Sequence, residues 1–120
     1  MKIAISSQGP LPEDPFEKRF GRAPFFVIHD TETGSISSIN NHQNLNALQG
    51  AGIQSAQNIL NENVQVLITG HCGPKAWQLL SRAEIKVYCT EASSVKDALG
   101  LYLENKLKAL DNADVESHWL

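Results

Sequence analysis

Apolar positions near the start of the chain come in short runs bounded by turn residues, and after residue 50 they recur at helical spacing. Lys2 to Ser6 predicts a strand. Phe25 to Asp30 and Ser35 to Asn40 predict two more, joined by Thr31-Glu32-Thr33-Gly34, a hairpin turn with glycine at its end. The period then changes. Ile53, Ala56, Ile59 and Leu60 mark a helix, followed by a strand over Val64 to Thr69, and Ala76, Leu79, Leu80 and Ala83 mark a second helix at i, i+3, i+4, i+7, followed by a strand over Ile85 to Cys89. A third helix begins near Ser94, whose spacing to Asp97 resembles a capping box, and carries Val95, Ala98, Leu99, Tyr102 and Leu103 on one face. The order is βββαβαβα, an α/β domain.

Right-handed crossovers place the fourth strand beside the first, which gives a five-stranded mixed sheet of order 3-2-1-4-5 with strand 2 antiparallel. The chain then leaves strands 1 and 4 toward opposite edges, and a crevice is expected between their carboxyl ends, where open α/β sheets bind ligands. Two loops border it, Ser7 to Pro24 and Gly70 to Pro74. The first is long for a compact domain and holds Gly9, Pro10, Pro12 and Pro15, so it is either mobile or ordered by something it holds.

The second loop belongs to Thr69-Gly70-His71-Cys72-Gly73-Pro74-Lys75-Ala76, a strand-to-helix turn. Its glycines allow backbone to approach a ligand, Pro74 suits the first helical position, and the free N–H groups of a helix start favour negative charge. A plain βα turn is the competing reading. The first loop ends in Arg19-Phe20-Gly21-Arg22-Ala23-Pro24-Phe25-Phe26, whose arginines form either an anion clamp or a pair of solvated charges, with at least one of Phe25 and Phe26 in the core.

Length and composition narrow the classes. With 120 residues, 42% of them hydrophobic, the chain supports one domain over residues 1–120, with 105–120 polar enough for a loosely held tail. A formal net charge of -3 argues against nucleic acid as a partner. No apolar run approaches the roughly 20 residues of a membrane span and no signal-peptide h-region follows Met1, so a soluble, cytoplasmic protein is expected. The only thiols, Cys72 and Cys89, cannot supply the thiolates of an ordinary iron–sulfur or structural zinc site, and a disulfide between them is unexpected in a reducing compartment.

Taken together, MKIAIS, RFGRAPFF, GAGIQSAQNIL, VLITGHCGPKAW, IKVY and the terminal SHW resemble the dinitrogenase iron–molybdenum cofactor biosynthesis family in the family's own order. Ser6 to Asp14 and the His71-Cys72 pair resemble its short single-domain members. Asn63 stands where glycine is usual before the fourth strand, a change that the left-handed conformation tolerates, and Ser117 stands where glycine commonly precedes His118-Trp119. The resemblance implies a three-layer α/β/α, ribonuclease-H-like fold. It also implies a small non-catalytic carrier or store of a molybdenum-containing metal–sulfide cluster, Mo-Cu-S or Mo-Fe-S, with a cluster donor or acceptor protein as partner and a monomer or weak dimer as the oligomeric state.

A thiometallate cluster is a bulky anion whose own sulfides complete the metals' coordination, so the protein needs anion-stabilising donors and an apolar wall. Backbone N–H groups from Gly70 to Lys75, the Lys75 ammonium, Arg19 and Arg22 are the expected donors around Gly21, Gly73 and Pro74, and Phe20, Phe26 and Trp77 or Leu11 the expected wall. Direct metal ligands are sought at His71, at Cys72, which is either biased toward thiolate by the helix start or an ordinary small residue in a turn, and at His42, with a metal-free surface histidine as the competing reading for both imidazoles. His29 is expected to pack or face solvent, His118 to be a tail residue or a fold-over ligand, and Cys89 to lie in the core. Two alternatives stand beside this reading. One is an enzyme with Cys72 as nucleophile and His71 or His42 as base, for which no carboxylate is obviously placed to orient the base. The other is an anion or phosphate sensor, although the turn lacks the G-x-x-x-x-G-K-[ST] spacing. A nuclease is disfavoured because the first strand carries no acidic residue.

Overall fold

A computed structural model describes residues 1–42 and 50–111. Its sheet has the order β3-β2-β1-β4-β5, formed by β1 (Lys2–Ser7), β2 (Phe25–Asp30), β3 (Ile36–Asn40), β4 (Val66–Thr69) and β5 (Lys86–Cys89). Strand β2 runs antiparallel to both neighbours, while β1, β4 and β5 are mutually parallel. The sheet order expected from periodicity is therefore the observed one. The ends move slightly: β4 starts at Val66 rather than Val64, because Asn63 turns the chain at φ 57 before the ladder begins.

Alternation along the strands divides the core between two faces. Ala4, Phe26, Ile28, Leu67 and Val87 meet Ala56 and Ile59 of α1 (Ala51–Asn61) and Ala76 and Leu80 of α2 (Pro74–Arg82). Ile3, Ile5, Val27, Val66 and Ile68 meet Val95 and Ala98 of α3 (Val95–Leu103). Strands β1 and β4 lie between these layers, which is why Ile3 to Ile5 and Val66 to Ile68 are apolar without a break and buried.

The loop after β1 is ordered by the protein itself. Phe16 pairs with Ser7, and the carbonyls of Asp14 and Pro12 accept the N–H groups of Val95 and Lys96 at 3.1 and 2.8 Å. Ser94 caps the same helix by accepting the Asp97 N–H at 3.1 Å, as its spacing predicted. The loop thus completes the start of α3 while carrying residues 17–22 across the sheet. Within the polar segment after Asn105, Leu110 donates its N–H to Val87 at 2.7 Å and Ala109 bridges Tyr88. Residues 112–120, including His118 and its flanking Ser117 and Trp119, lie outside the described residues.

Candidate functional site

At the carboxyl ends of β1 and β4 the two loops join. Arg19 and His71 form a parallel bridge: the His71 N–H donates to the Lys18 carbonyl at 2.6 Å and the Phe20 N–H to the His71 carbonyl at 3.1 Å. The strap continues into a short 3-10 turn, Phe20–Arg22, which lies against the start of α1. Two glycines make this packing possible. A β-carbon on Gly70 would stand 2.5 Å from the Lys18 carbonyl oxygen, and one on Gly21 would stand 3.0 Å from the Gly52 nitrogen. What Gly70 makes room for in this structure is the backbone of Lys18.

Between the strap and the two helix starts lies an open cavity of about 790 Å3. Arg19, Phe20, Gly21 and Arg22 line one side, His71, Gly73, Lys75 and Ala76 a second, and Gly50, Ala51, Gly52 and Ile53 the third. Among the described residues lining it there is no aspartate or glutamate. Neither helix has a side-chain cap: α1 starts after Gly50 in the left-handed conformation (φ 79), and α2 starts after an extended Gly73 with Pro74 in its first turn. The first intrahelical bonds are Gln54 N–H to Gly50 and Trp77 N–H to Gly73. The N–H groups of Ala51, Gly52, Ile53, Lys75 and Ala76 precede them, have no intrahelical acceptor, and give the cavity two positive helix ends.

A buried polar cluster holds α1 in place. Asn41, fully buried, donates its side-chain amide to the Ala23 carbonyl at 2.8 Å and to the Ser55 hydroxyl at 2.9 Å, and accepts from the Asn58 amide at 2.6 Å. Its own N–H donates to Pro24 at 2.7 Å. One side chain thus fixes α1 to the segment that follows Arg22.

Seven of the expected residues meet in the cavity: Arg19, Phe20, Gly21, Arg22, His71, Gly73 and Lys75. Gly70, Cys72 and Pro74 are not among those lining it. Cys72 is 3% exposed, and burial, with Cys89 nearby adding to the effect, pushes its thiol up to about 12. The expected bias toward thiolate is therefore overturned, because desolvation outweighs the helix start. Cys89 packs against the same core and burial lifts its thiol to about 11. His42 is exposed, its ring edge-on to Phe25 at 4.9 Å between centroids, and it does not line the cavity.

The expected wall also changes. Phe20 and Phe26 stack in the core with centroids 5.4 Å apart and are at most 1% exposed, Leu11 stands out in the first loop, and Trp77 borders a separate hollow with Ser81, Glu84 and Leu110. Of the expected wall only Phe20 borders the cavity, and the rest of its apolar lining comes from Ala51, Ile53 and Ala76. The start of α1 joins the cavity lining although the sequence expectation does not include it. Strand β3 runs parallel to β1, so the helix after it must begin at the same edge as α2, and the Gly-Ala-Gly-Ile segment there was readable as small residues allowing close approach.

Among the described residues no three His, Cys, Asp or Glu side chains converge as a metal site. No helix among them is long and apolar enough to cross a membrane. Cationic side chains, two helix starts and a single imidazole suit an anion that arrives with its own ligands better than a bare metal ion.

Fold and cavity together define a small α/β protein with a cavity lined by cationic side chains at the point where strand order reverses. The chain belongs to the dinitrogenase iron–molybdenum cofactor family, whose model matches residues 1–105. It is 32% identical over 113 residues to an uncharacterized protein of Methanocaldococcus jannaschii, with 92% of each chain covered. The apo form of the orange protein from Desulfovibrio gigas is similar at a TM-score of 0.87 and 34% identity, over 91% of this chain and 92% of that one. A NifB-like protein from Thermotoga follows at a TM-score of 0.79 and 30% identity, over 90% and 91%. These relations associate the chain with cofactor binding or cofactor biosynthesis.

Proposed function

We propose that this protein carries or stores a molybdenum-containing metal–sulfide cluster, held noncovalently in the cavity between the 19–22 strap and the starts of α1 and α2, with no catalytic turnover. One observation carries the reading: both helix starts, Arg19, Arg22, Lys75 and His71 surround one cavity of about 790 Å3 with no acidic residue among those lining it. An anionic cluster would replace its hydration by fixed amide and guanidinium donors while Ala51, Ile53 and Ala76 cover an apolar side. Donors of this kind also tune the potential of a sulfide cluster through hydrogen bonds to sulfur. His71 is the one residue of the expected ligand set that reaches the cavity, so any direct metal bond from that set falls to its imidazole.

Molybdenum, with iron as second metal, follows the family, and copper as second metal is the alternative implied by the sequence resemblance. The protonated, buried Cys72 supports a carrier over an enzyme with a cysteine nucleophile. Anaerobic reconstitution with tetrathiomolybdate and copper(I) or iron, followed by gel filtration and metal analysis, tests the proposal. A coloured protein fraction containing molybdenum is expected. A colourless, metal-free protein overturns it, and equal retention of inorganic phosphate in place of thiomolybdate would favour an anion sensor.

A further inference from the structure

The strap carries a carboxylate directly behind the cavity. Glu17 is fixed by its own N–H, which donates to Ser6 at 3.1 Å, and its side chain is 12% exposed. Its Oε2 accepts the Arg19 N–H at 3.0 Å and lies 3.6 Å from Arg19 Nε. The Arg19 side chain is 70% exposed and lines the cavity, whereas Glu17 does not. The bridge engages Nε, and the terminal amino groups of the guanidinium are left for a ligand.

The geometry points to Glu17 as a built-in counter-anion that competes with the cargo for Arg19 and keeps the cargo releasable. This inference rests on the carrier reading above. A carboxylate largely withdrawn from water and beside Arg19 offsets part of the positive potential that the cavity presents to an anion. An incoming cluster draws the guanidinium toward itself and stretches the contact to Glu17; on release the carboxylate recovers it. Glutamine at this position keeps an oxygen for the Arg19 N–H and removes only the charge. The positioning effect is thereby retained and the competition lost.

Binding of tetrathiomolybdate under anaerobic conditions, followed by its visible absorption, is measured for wild type, Glu17→Gln, Glu17→Asp, Arg19→Gln and the Glu17→Gln/Arg19→Gln double variant. Glu17→Gln is expected to bind about two- to fivefold more tightly, the scale of a partly exposed ion pair. Glu17→Asp, which keeps the charge, is not expected to gain affinity. In the Arg19→Gln background the Glu17→Gln gain shrinks to what the loss of a nearby negative charge gives by itself, a coupling that a merely structural role for Glu17 would not produce. Weaker or unchanged binding by Glu17→Gln, with wild type binding normally, overturns the inference and leaves the carrier reading standing. A gain of the same size without Arg19 overturns it as well. Absence of binding by wild type overturns both.

Discussion

Gly70 and Lys18 are in backbone contact so close that a β-carbon on Gly70 would lie 2.5 Å from the Lys18 carbonyl oxygen and 2.7 Å from its Cα. Backbone on both sides leaves nothing flexible to give way. Gly70→Ala is expected to lower stability by about 1–3 kcal/mol and to free the strap, read as a lower Tm and loss of hydrogen-exchange protection at the His71 amide. An unchanged Tm would show that the strap is not anchored there.

Gly21 makes the milder approach, with its prospective β-carbon 3.0 Å from the Gly52 nitrogen and 3.1 Å from its Cα. Gly21→Ala is expected to push the 3-10 turn away from α1 and to weaken thiomolybdate binding more than it lowers Tm. Titration of the variant beside thermal melting separates the two effects.

Among the described residues Asn41, fully buried, makes hydrogen bonds that link Ala23, Pro24, Ser55 and Asn58. Asn41→Ala leaves the Ala23 carbonyl and the Ser55 and Asn58 side chains without that partner. It should cost about 2–4 kcal/mol, measured by urea unfolding.

The thiols give a prediction in pH. Burial lifts Cys72 from 9.0 to about 12 and Cys89 from 9.0 to about 11. The folded state thus keeps protons that the unfolded chain gives up near 9.0, and stability falls as pH rises from there toward 12. Cys72→Ala should flatten that fall in Tm. Both native thiols should resist iodoacetamide at neutral pH and react on unfolding.

Much of the fold was legible because it is periodic. Strand alternation, helical spacing and the handedness of crossovers lead to the sheet order, and the Ser94 cap follows from its spacing to Asp97. The meeting of Arg19 with His71 was legible as well, since topology sends both loops to one crevice. Side-chain direction in irregular segments was not. Nothing local says that Phe20 turns inward onto Phe26 while Arg19 turns outward, or that Cys72 sits in the core beside a helix start. Those outcomes depend on which distant element packs there. Gly70 illustrates the same point: its conformational freedom was readable, but what it makes room for is Lys18, far away in sequence.

One open cavity, lined by residues from three separate stretches, is the proposed seat of an anionic metal–sulfide cargo. Amide NMR shifts during anaerobic titration with tetrathiomolybdate address it most directly. Perturbations concentrated at 19–22, 50–53 and 71–76 are expected, with Gly52 and Lys75 among the largest. Perturbations confined to the hollow around Trp77, Ser81 and Leu110, or none at saturating probe, would contradict the account.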